Sequence, residues 1–424
     1  MLNIVLLLFL TVFLFALERK RKQKSWLQYV ILGLFNWLVV ECVLYFYFLF
    51  LISQGSSFFL IGHQHLLDRL IKNNILETLS IDERNPYSVF RLDPQLGYAP
   101  GQNKMTYQFK SLNGQGLRSD REYRLMPPRD HLRLAAFGDS FVFCDDEITQ
   151  NCWTHFLEKS VHNLEVLNFG VSGYGLGQSY LRYLKDGLKF KPDIIFINYV
   201  SVTDRDKVAS QTIARGRSLR SADAYRVRFW IEKGELMSKS MSPMDLFDKN
   251  FRQKNIYAPL GIAVNDPFLN KNIFSFSNIG LFVKQLIAQK RFANIKMLKG
   301  EKEEEEIINF KILEDLLNVA AENGTEVIFF VGEELDDLPR SIQALLKQHT
   351  SHMVYVNSKN LLNLYFHQLG VERKDLLNQT GHYNPKGNMI YARAVGSILE
   401  THTWGPENKK FKFDQTQKAF IPFR

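Results

Sequence analysis

The chain has little cysteine: only three of its 424 residues, with no Cys-x-x-Cys spacing, and this excludes the usual thiolate-rich metal sites. It also lacks the glycine motifs that hold phosphates. Gly173 and Gly175 match the first two glycines of the dinucleotide fingerprint Gly-x-Gly-x-x-Gly, but Gln178 stands where the third glycine is needed. The sequence also has no Walker lysine. We therefore predict neither a metal nor a cofactor.

Charge is missing from two long stretches near the N-terminus. Residues 1–17 carry none, and residues 26–53 carry only Glu41. Both are apolar, and the second exceeds the roughly 20 residues that span a bilayer, so we predict two transmembrane helices. A cleaved signal peptide would have its positive charge before the apolar run, whereas here it follows.

The net charge of +9 owes much to the short segment between these stretches, residues 18–25, which contains five basic residues. Basic loops stay in the cytoplasm, so everything after residue 53 is predicted to lie on the periplasmic or extracellular side of a two-pass membrane protein. The charge therefore concerns membrane topology, and we predict no nucleic-acid partner. In an oxidising exterior compartment Cys144 and Cys152 are expected to form a disulfide, the alternative being two unrelated buried side chains.

Residues 54–130 read as a juxtamembrane helix and a small β-rich lead-in with a turn at Asn113-Gly114. Strand and helix patterns then alternate through residues 131–402. They are interrupted by an insertion at about 207–300 and followed by a tail at 403–424 that is solvated or touches lipid. The alternation predicts an α/β fold, a three-layer sandwich with a central parallel sheet.

Three motifs lie next to predicted strands or helices, two of them where strands of that sheet should end and one just before a helix. The strand beginning at Leu132 stops at Gly138-Asp139-Ser140, a second strand precedes Gly173, and His382 comes just before the last helix. Ligands bind at the carboxyl edge of such sheets, so Ser140 is a candidate nucleophile, His382 a candidate base and Gly173 a candidate oxyanion donor.

Together, the blocks FGDSF, NFGVSG and GHYNPKG resemble the SGNH (GDSL) hydrolase superfamily, whose domain is a flavodoxin-like sandwich. The resemblance covers roughly residues 132–207 and 300–401, and the lead-in is similar to that of membrane-anchored bacterial members. It implies that Ser140 attacks an ester, that His382 takes its proton, and that the backbone N–H groups of Ser140 and Gly173 hold the oxyanion.

Two positions depart from the family pattern. Thr203 stands where the family has an asparagine that donates to the oxyanion, and its hydroxyl could substitute. The aspartate that the family places two or three residues before the histidine is missing. Gln379, Asp375 or a backbone carbonyl could orient His382 instead.

The predicted activity is that of an exported, membrane-anchored serine esterase working through an acyl-Ser140 intermediate. The substrate would be an acylated glycan or lipid, and envelope polysaccharide machinery a possible partner. One alternative is an O-acyltransferase with the same site, and another a binding or assembly protein whose site has decayed. Arg215, Arg217 and Arg220 in the insertion are either contacts for an anionic glycan or lipid head group or a solvated charged loop.

Overall fold

The computed structural model describes residues 27–53, 89–102, 104–105, 111–199, 226–240 and 299–404. Outside these ranges lie the first predicted membrane helix, the basic loop, the juxtamembrane helix, Thr203, the three insertion arginines and the tail from residue 405 onward. The chain divides into two compact units. The N-terminal helix belongs to one and the α/β domain to the other, and each is described by itself.

Helix α1 (Leu27–Ser53) is 27 residues long, about 40 Å at 1.5 Å per residue, so it exceeds the roughly 30 Å of a bilayer's hydrocarbon core. Its span Tyr29–Tyr47 has a mean hydropathy of 1.9. Large apolar side chains such as Leu32 and Phe46 are more than half exposed. Of the described helices, this one is long and apolar enough to cross a membrane.

The α/β domain is built on a five-stranded parallel sheet. Its strands are β5 (Leu132–Phe137), β6 (Leu164–Asn168), β7 (Ile194–Tyr199), β10 (Glu326–Val331) and β11 (Met353–Asn357). Their order in the sheet is β6-β5-β7-β10-β11, which is the flavodoxin order 2-1-3-4-5. The order reverses between β5 and β7, and this switch point is where ligands bind in such sheets.

Helices cover both faces of this sheet. They are α2 (Ser140–Phe143), α3 (Trp153–Ser160), α4 (Leu176–Arg182), α5 (Lys299–Glu322), α6 (Arg340–Gln348), α7 (Ser358–Gln368) and α8 (Pro385–Thr401). One buried cluster joins α4, α5 and α6 to the sheet, and a second joins α3, α7 and α8 to it. The predicted three layers around a parallel sheet are thus confirmed for the described residues.

Strand β5 shows why the two clusters are separate. All six of its residues are buried, and successive side chains of a strand point to opposite faces. Ala135 and Phe137 therefore join the first cluster, whereas Leu134 and Ala136 join the second. A continuous apolar run is what a strand covered on both faces requires.

In the described part of the chain, three antiparallel hairpins stand outside the central sheet. The lead-in forms β1 (Phe90–Asp93) with β2 (Gly97–Pro100), and β3 (Lys104–Met105) with β4 (Ser111–Leu112). The insertion that interrupts the alternating pattern contains the hairpin β8 (Val227–Glu232) and β9 (Glu235–Ser240). Its two-residue turn, Lys233-Gly234, has positive φ at both positions, as a tight hairpin turn requires.

Candidate active site

Ser140 lies just after the carboxyl end of strand β5 of the parallel sheet, beside the switch point. It is the first residue of the four-residue helix α2 and is partly exposed. Asp139 caps this helix: its Oδ1 accepts hydrogen bonds from the N–H of Phe141 at 3.0 Å and from Nδ2 of Asn198, at the end of β7, at 3.3 Å. The Gly-Asp-Ser aspartate therefore fixes the turn that carries Ser140 and ties it to the neighbouring strand β7.

The chain turns sharply after α2. Cys144 and Asp146 both adopt left-handed backbone conformations, with φ of 68° and 66°. The N–H of Asp145 donates to the carbonyl of Ser140 at 3.0 Å, so the turn folds back on the nucleophile. As a result, two successive carboxylates lie next to the helix that carries Ser140.

His382 is oriented by the second of these carboxylates. Its Nδ1 lies 2.7 Å from Oδ2 of Asp146 and 3.0 Å from the hydroxyl of Thr380. The Thr380 hydroxyl is itself 2.6 Å from the same Asp146 oxygen. A carboxylate accepts only, so Nδ1 carries the proton and Nε2 keeps the lone pair that a general base needs.

This arrangement corrects the sequence-based expectation for the group that orients His382. Neither Gln379 nor Asp375 does so, because among the described residues Asp146 and Thr380 take the Nδ1 position. The backbone carbonyl of Asp375 accepts instead from Asn384, the N-cap of α8. The aspartate missing before the histidine is thus replaced by one six residues after the nucleophile.

The imidazole also packs on the nucleophile's neighbour. The rings of His382 and Phe141 meet edge to face with centroids 5.5 Å apart. The side chains of His382 and Asp146 are 23% and 26% exposed, so the pair is open to solvent. The candidate nucleophile, base and orienting carboxylate therefore share one open edge of the sheet.

The loop of Gly173 is attached to the same turn. The N–H of Val171 donates to the carbonyl of Gly138 at 3.0 Å, and Nδ2 of Asn168 donates to the carbonyl of Val142 at 2.7 Å. Asp145 accepts a 2.6 Å hydrogen bond from the Ser172 hydroxyl. These bonds hold the predicted oxyanion loop against the nucleophile turn.

Gly173 cannot be replaced without strain. Its φ is +81°, and a Cβ there would lie 2.6 Å from Nη2 of Arg226 and 3.0 Å from the hydroxyl of Tyr98. A glycine tolerates both the conformation and the close approach. The oxyanion roles of Ser140, Gly173 and Thr203 stay predictions.

Comparison with known proteins gives structural matches only: no family model and no curated protein matches the chain. A catalytic mutant of an acetylxylan esterase from Geobacillus stearothermophilus is 13% identical, with a TM-score of 0.30, over 64% of this chain and 94% of that one. The protein TesA is 11% identical, with a TM-score of 0.31, over 63% and 98%. A putative lipolytic protein of the G-D-S-L family from Desulfitobacterium hafniense DCB-2 is 13% identical, with a TM-score of 0.30, over 63% and 100%.

The chain is similar to hydrolases of the SGNH (GDSL) type. The scores are too low to bear on function, which depends on the residues at the sheet edge. One feature of those residues departs from the SGNH pattern named above, because the carboxylate that contacts the histidine comes from the loop after Ser140. In addition, the lead-in and the insertion both contact the Gly173 loop.

The predicted disulfide between Cys144 and Cys152 is not formed in the structure. Cys144 and Cys152 are both free thiols, although they are buried and hydrogen-bonded to each other. Burial first, and then this contact, raise the pKa of the Cys144 thiol well above its ordinary value, so the thiol stays protonated. The prediction followed from the assumed exterior compartment, and spacing alone does not distinguish a bonded pair from a packed one.

In the ranges that the structure describes, no group of three or more His, Cys, Asp or Glu side chains could hold a metal ion. Asp146 is the functional residue that sequence reasoning missed. The available signal was the Asp145-Asp146 pair directly after the FGDSF block, but it lies 236 residues from the histidine it contacts.

Proposed function

We propose that the chain is an SGNH-type serine esterase whose catalytic triad is Ser140, His382 and Asp146. The observation that carries this proposal is the 2.7 Å contact between Nδ1 of His382 and Oδ2 of Asp146. It supplies the orienting carboxylate whose apparent absence favoured a decayed site. A histidine held in this tautomer can activate a neighbouring serine hydroxyl, which alone is a poor nucleophile at neutral pH.

In the proposed reaction Oγ of Ser140 attacks the ester carbonyl while Nε2 of His382 takes the hydroxyl proton. The negative charge of Asp146 stabilises the imidazolium, and the N–H groups of Ser140 and Gly173 hold the oxyanion. The carbon–oxygen bond to the leaving alcohol then breaks, and His382 returns the proton to that alcohol. Water attacks acyl-Ser140 by the same route and releases the acid.

The substrate proposed is an acyl ester of an envelope glycan or lipid. Support comes from the apolar helix α1, which is long enough to anchor the domain at a membrane, and from the basic segment before it, which favours export of everything that follows. A reporter fused after Thr401 should be active only as a periplasmic or extracellular enzyme. Activity of a cytoplasm-only reporter would contradict the topology and with it the glycan substrate.

The activity is tested with a fluorophosphonate probe and a p-nitrophenyl ester. Wild-type protein should label covalently and release nitrophenol, Ser140→Ala should do neither, and His382→Ala should lower both rates by orders of magnitude. Adding sugar acceptors separates hydrolysis from transfer, since a transferase would place the acyl group on the sugar. If the folded wild-type protein neither reacts with the probe nor turns over any simple ester, the proposed esterase activity is refuted.

A further inference from the structure

We infer that Tyr98, in strand β2 of the lead-in, positions the oxyanion donor of this site through the peptide bond between Ser172 and Gly173. Its hydroxyl donates to the carbonyl oxygen of Ser172 at 2.9 Å. The two residues are 74 positions apart in the chain. The inference rests on the proposed function, in which the N–H of Gly173 holds the oxyanion.

The link between the two groups is the planar peptide unit. The carbonyl of Ser172 and the N–H of Gly173 belong to one rigid plane and point in opposite directions. A donor that fixes the carbonyl therefore fixes the direction of the N–H. It also polarises the amide, which makes its N–H a stronger donor.

Tyr98 is itself held firmly enough for this purpose. Its side chain is fully buried, and its ring packs edge to face on Tyr174 and Phe90 at 5.2 and 5.6 Å. The hydroxyl of Tyr174 donates to the backbone carbonyl of Tyr98, and Nε2 of Gln178 donates to that of Leu96 at 2.8 Å. The hairpin that carries Tyr98 is thus fixed to helix α4 and to the loop that Tyr98 orients.

The peptide on the other side of Gly173 is held in the same manner. Arg226, the residue before β8, is 2% exposed and donates from Nη1 to the carbonyl of Gly173. Its guanidinium also lies 5.8 Å from the centre of the Tyr98 ring. Both peptides of Gly173 are therefore fixed from the buried side, by one residue of the lead-in and one of the insertion.

Tyr98→Phe tests the inference because it removes the donor and keeps the ring. The oxyanion N–H remains but loses its support, so kcat for the p-nitrophenyl ester should fall by about tenfold, less than the 10²–10³ lost with a whole donor. KM should stay within about twofold, because the bond matters when the oxyanion forms. Affinity for an arylboronic acid, which forms a tetrahedral adduct with the serine, should fall with kcat.

Tyr123→Phe is the matched control. Tyr123 is another buried tyrosine of the lead-in, and its hydroxyl donates to a backbone carbonyl, that of Val166 in β6, at 3.0 Å. The Tyr123→Phe variant should lose about as much thermal stability as Tyr98→Phe, but its kcat should stay at the wild-type value. Should Tyr98→Phe fail to fold, 3-fluorotyrosine at position 98 retains a stronger donor and should give a kcat at or above that of wild type.

The failures are distinguishable. If wild type turns over the ester while folded Tyr98→Phe stays within about twofold of its kcat, the inference is overturned and the esterase stands. An equal fall in Tyr123→Phe, or a kcat at least twofold below wild type with 3-fluorotyrosine, overturns it as well. A wild-type protein without turnover overturns both the esterase and this inference.

Discussion

The replacement of Asp146 by asparagine tests the triad most directly, because it keeps the side chain's shape and removes its charge. In wild type, Oδ2 of Asp146 accepts from Nδ1 of His382 at 2.7 Å. In the proposed reaction it would face an imidazolium during each proton transfer. We expect Asp146→Asn to lower kcat/KM for a p-nitrophenyl ester by about 10²–10³.

The magnitude follows from the charge that is lost. Two unit charges about 4 Å apart attract by about 4 kcal/mol at an effective dielectric constant of about 20, which corresponds to about 10³ in rate. The Asp146 side chain is 26% exposed, and solvent reduces this attraction. An amide nitrogen placed toward Nδ1 would instead select the wrong imidazole tautomer, whose cost in a serine protease is about 10⁴.

The assay compares Asp146→Asn with Asp375→Asn over pH 5 to 9, measuring both ester turnover and the rate of fluorophosphonate labelling. Asp375 is the aspartate closest in sequence to His382. Its carboxylate should be dispensable, because Asn384, the N-cap of α8, contacts the backbone carbonyl of Asp375. If Asp146→Asn keeps kcat/KM within about fivefold of wild type, or if Asp375→Asn loses as much, the triad is wrong.

Three further outcomes are expected. Gly173→Ala should lower both activity and melting temperature, because its Cβ would lie 2.6 Å from a guanidinium nitrogen. Cys144 and Cys152 should resist alkylation in folded protein, and both should be alkylated in guanidinium without reductant. If both resist alkylation in guanidinium as well, they form a disulfide after all. Burial raises the pKa of Asp93, but hydrogen bonds from Lys185 and two backbone N–H groups outweigh it and lower the pKa. The stability this adds is present above the unfolded pKa near 4 and lost as pH falls through the folded pKa, so chemical denaturation should show less acid sensitivity in Asp93→Asn.

Much of the sheet and its helices could be predicted from the sequence, because apolar runs and helical periodicity are local signals. Strand Glu326–Val331 is almost entirely apolar, and helix Pro385–Thr401 begins at a proline, which suits the first turn of a helix. Helix α7 has a weaker signal, since it starts at Ser358 directly after the last residue of β11 and no turn residues separate the two. Helix α3 also has a weak signal, because it has only eight residues and no side-chain cap.

The residues of the candidate site also fall into two groups, those that the sequence predicted and those that it did not. Ser140, Gly173 and His382 follow strand ends or precede a helix, so their order in the sequence predicted a common edge. The contacts of Asp146 and Tyr98 are different, because they join residues 236 and 74 positions apart whose loops have no periodic pattern. Such pairings depend on how loops fold over a finished sheet, and composition and spacing do not specify that.

The turn after α2 links the parts of the site. Asp145 holds the loop of Gly173 through the Ser172 hydroxyl, and Asp146 holds His382, so adjacent carboxylates contact the proposed oxyanion loop and the proposed base. The turn has non-glycine residues in left-handed conformations on either side of Asp145, each of which costs of order 1 kcal/mol. Strain of this kind persists where surrounding contacts fix the backbone. Here the contacts that fix it join the turn to Ser140, His382 and the loop of Gly173, so the placement of all three depends on one short turn.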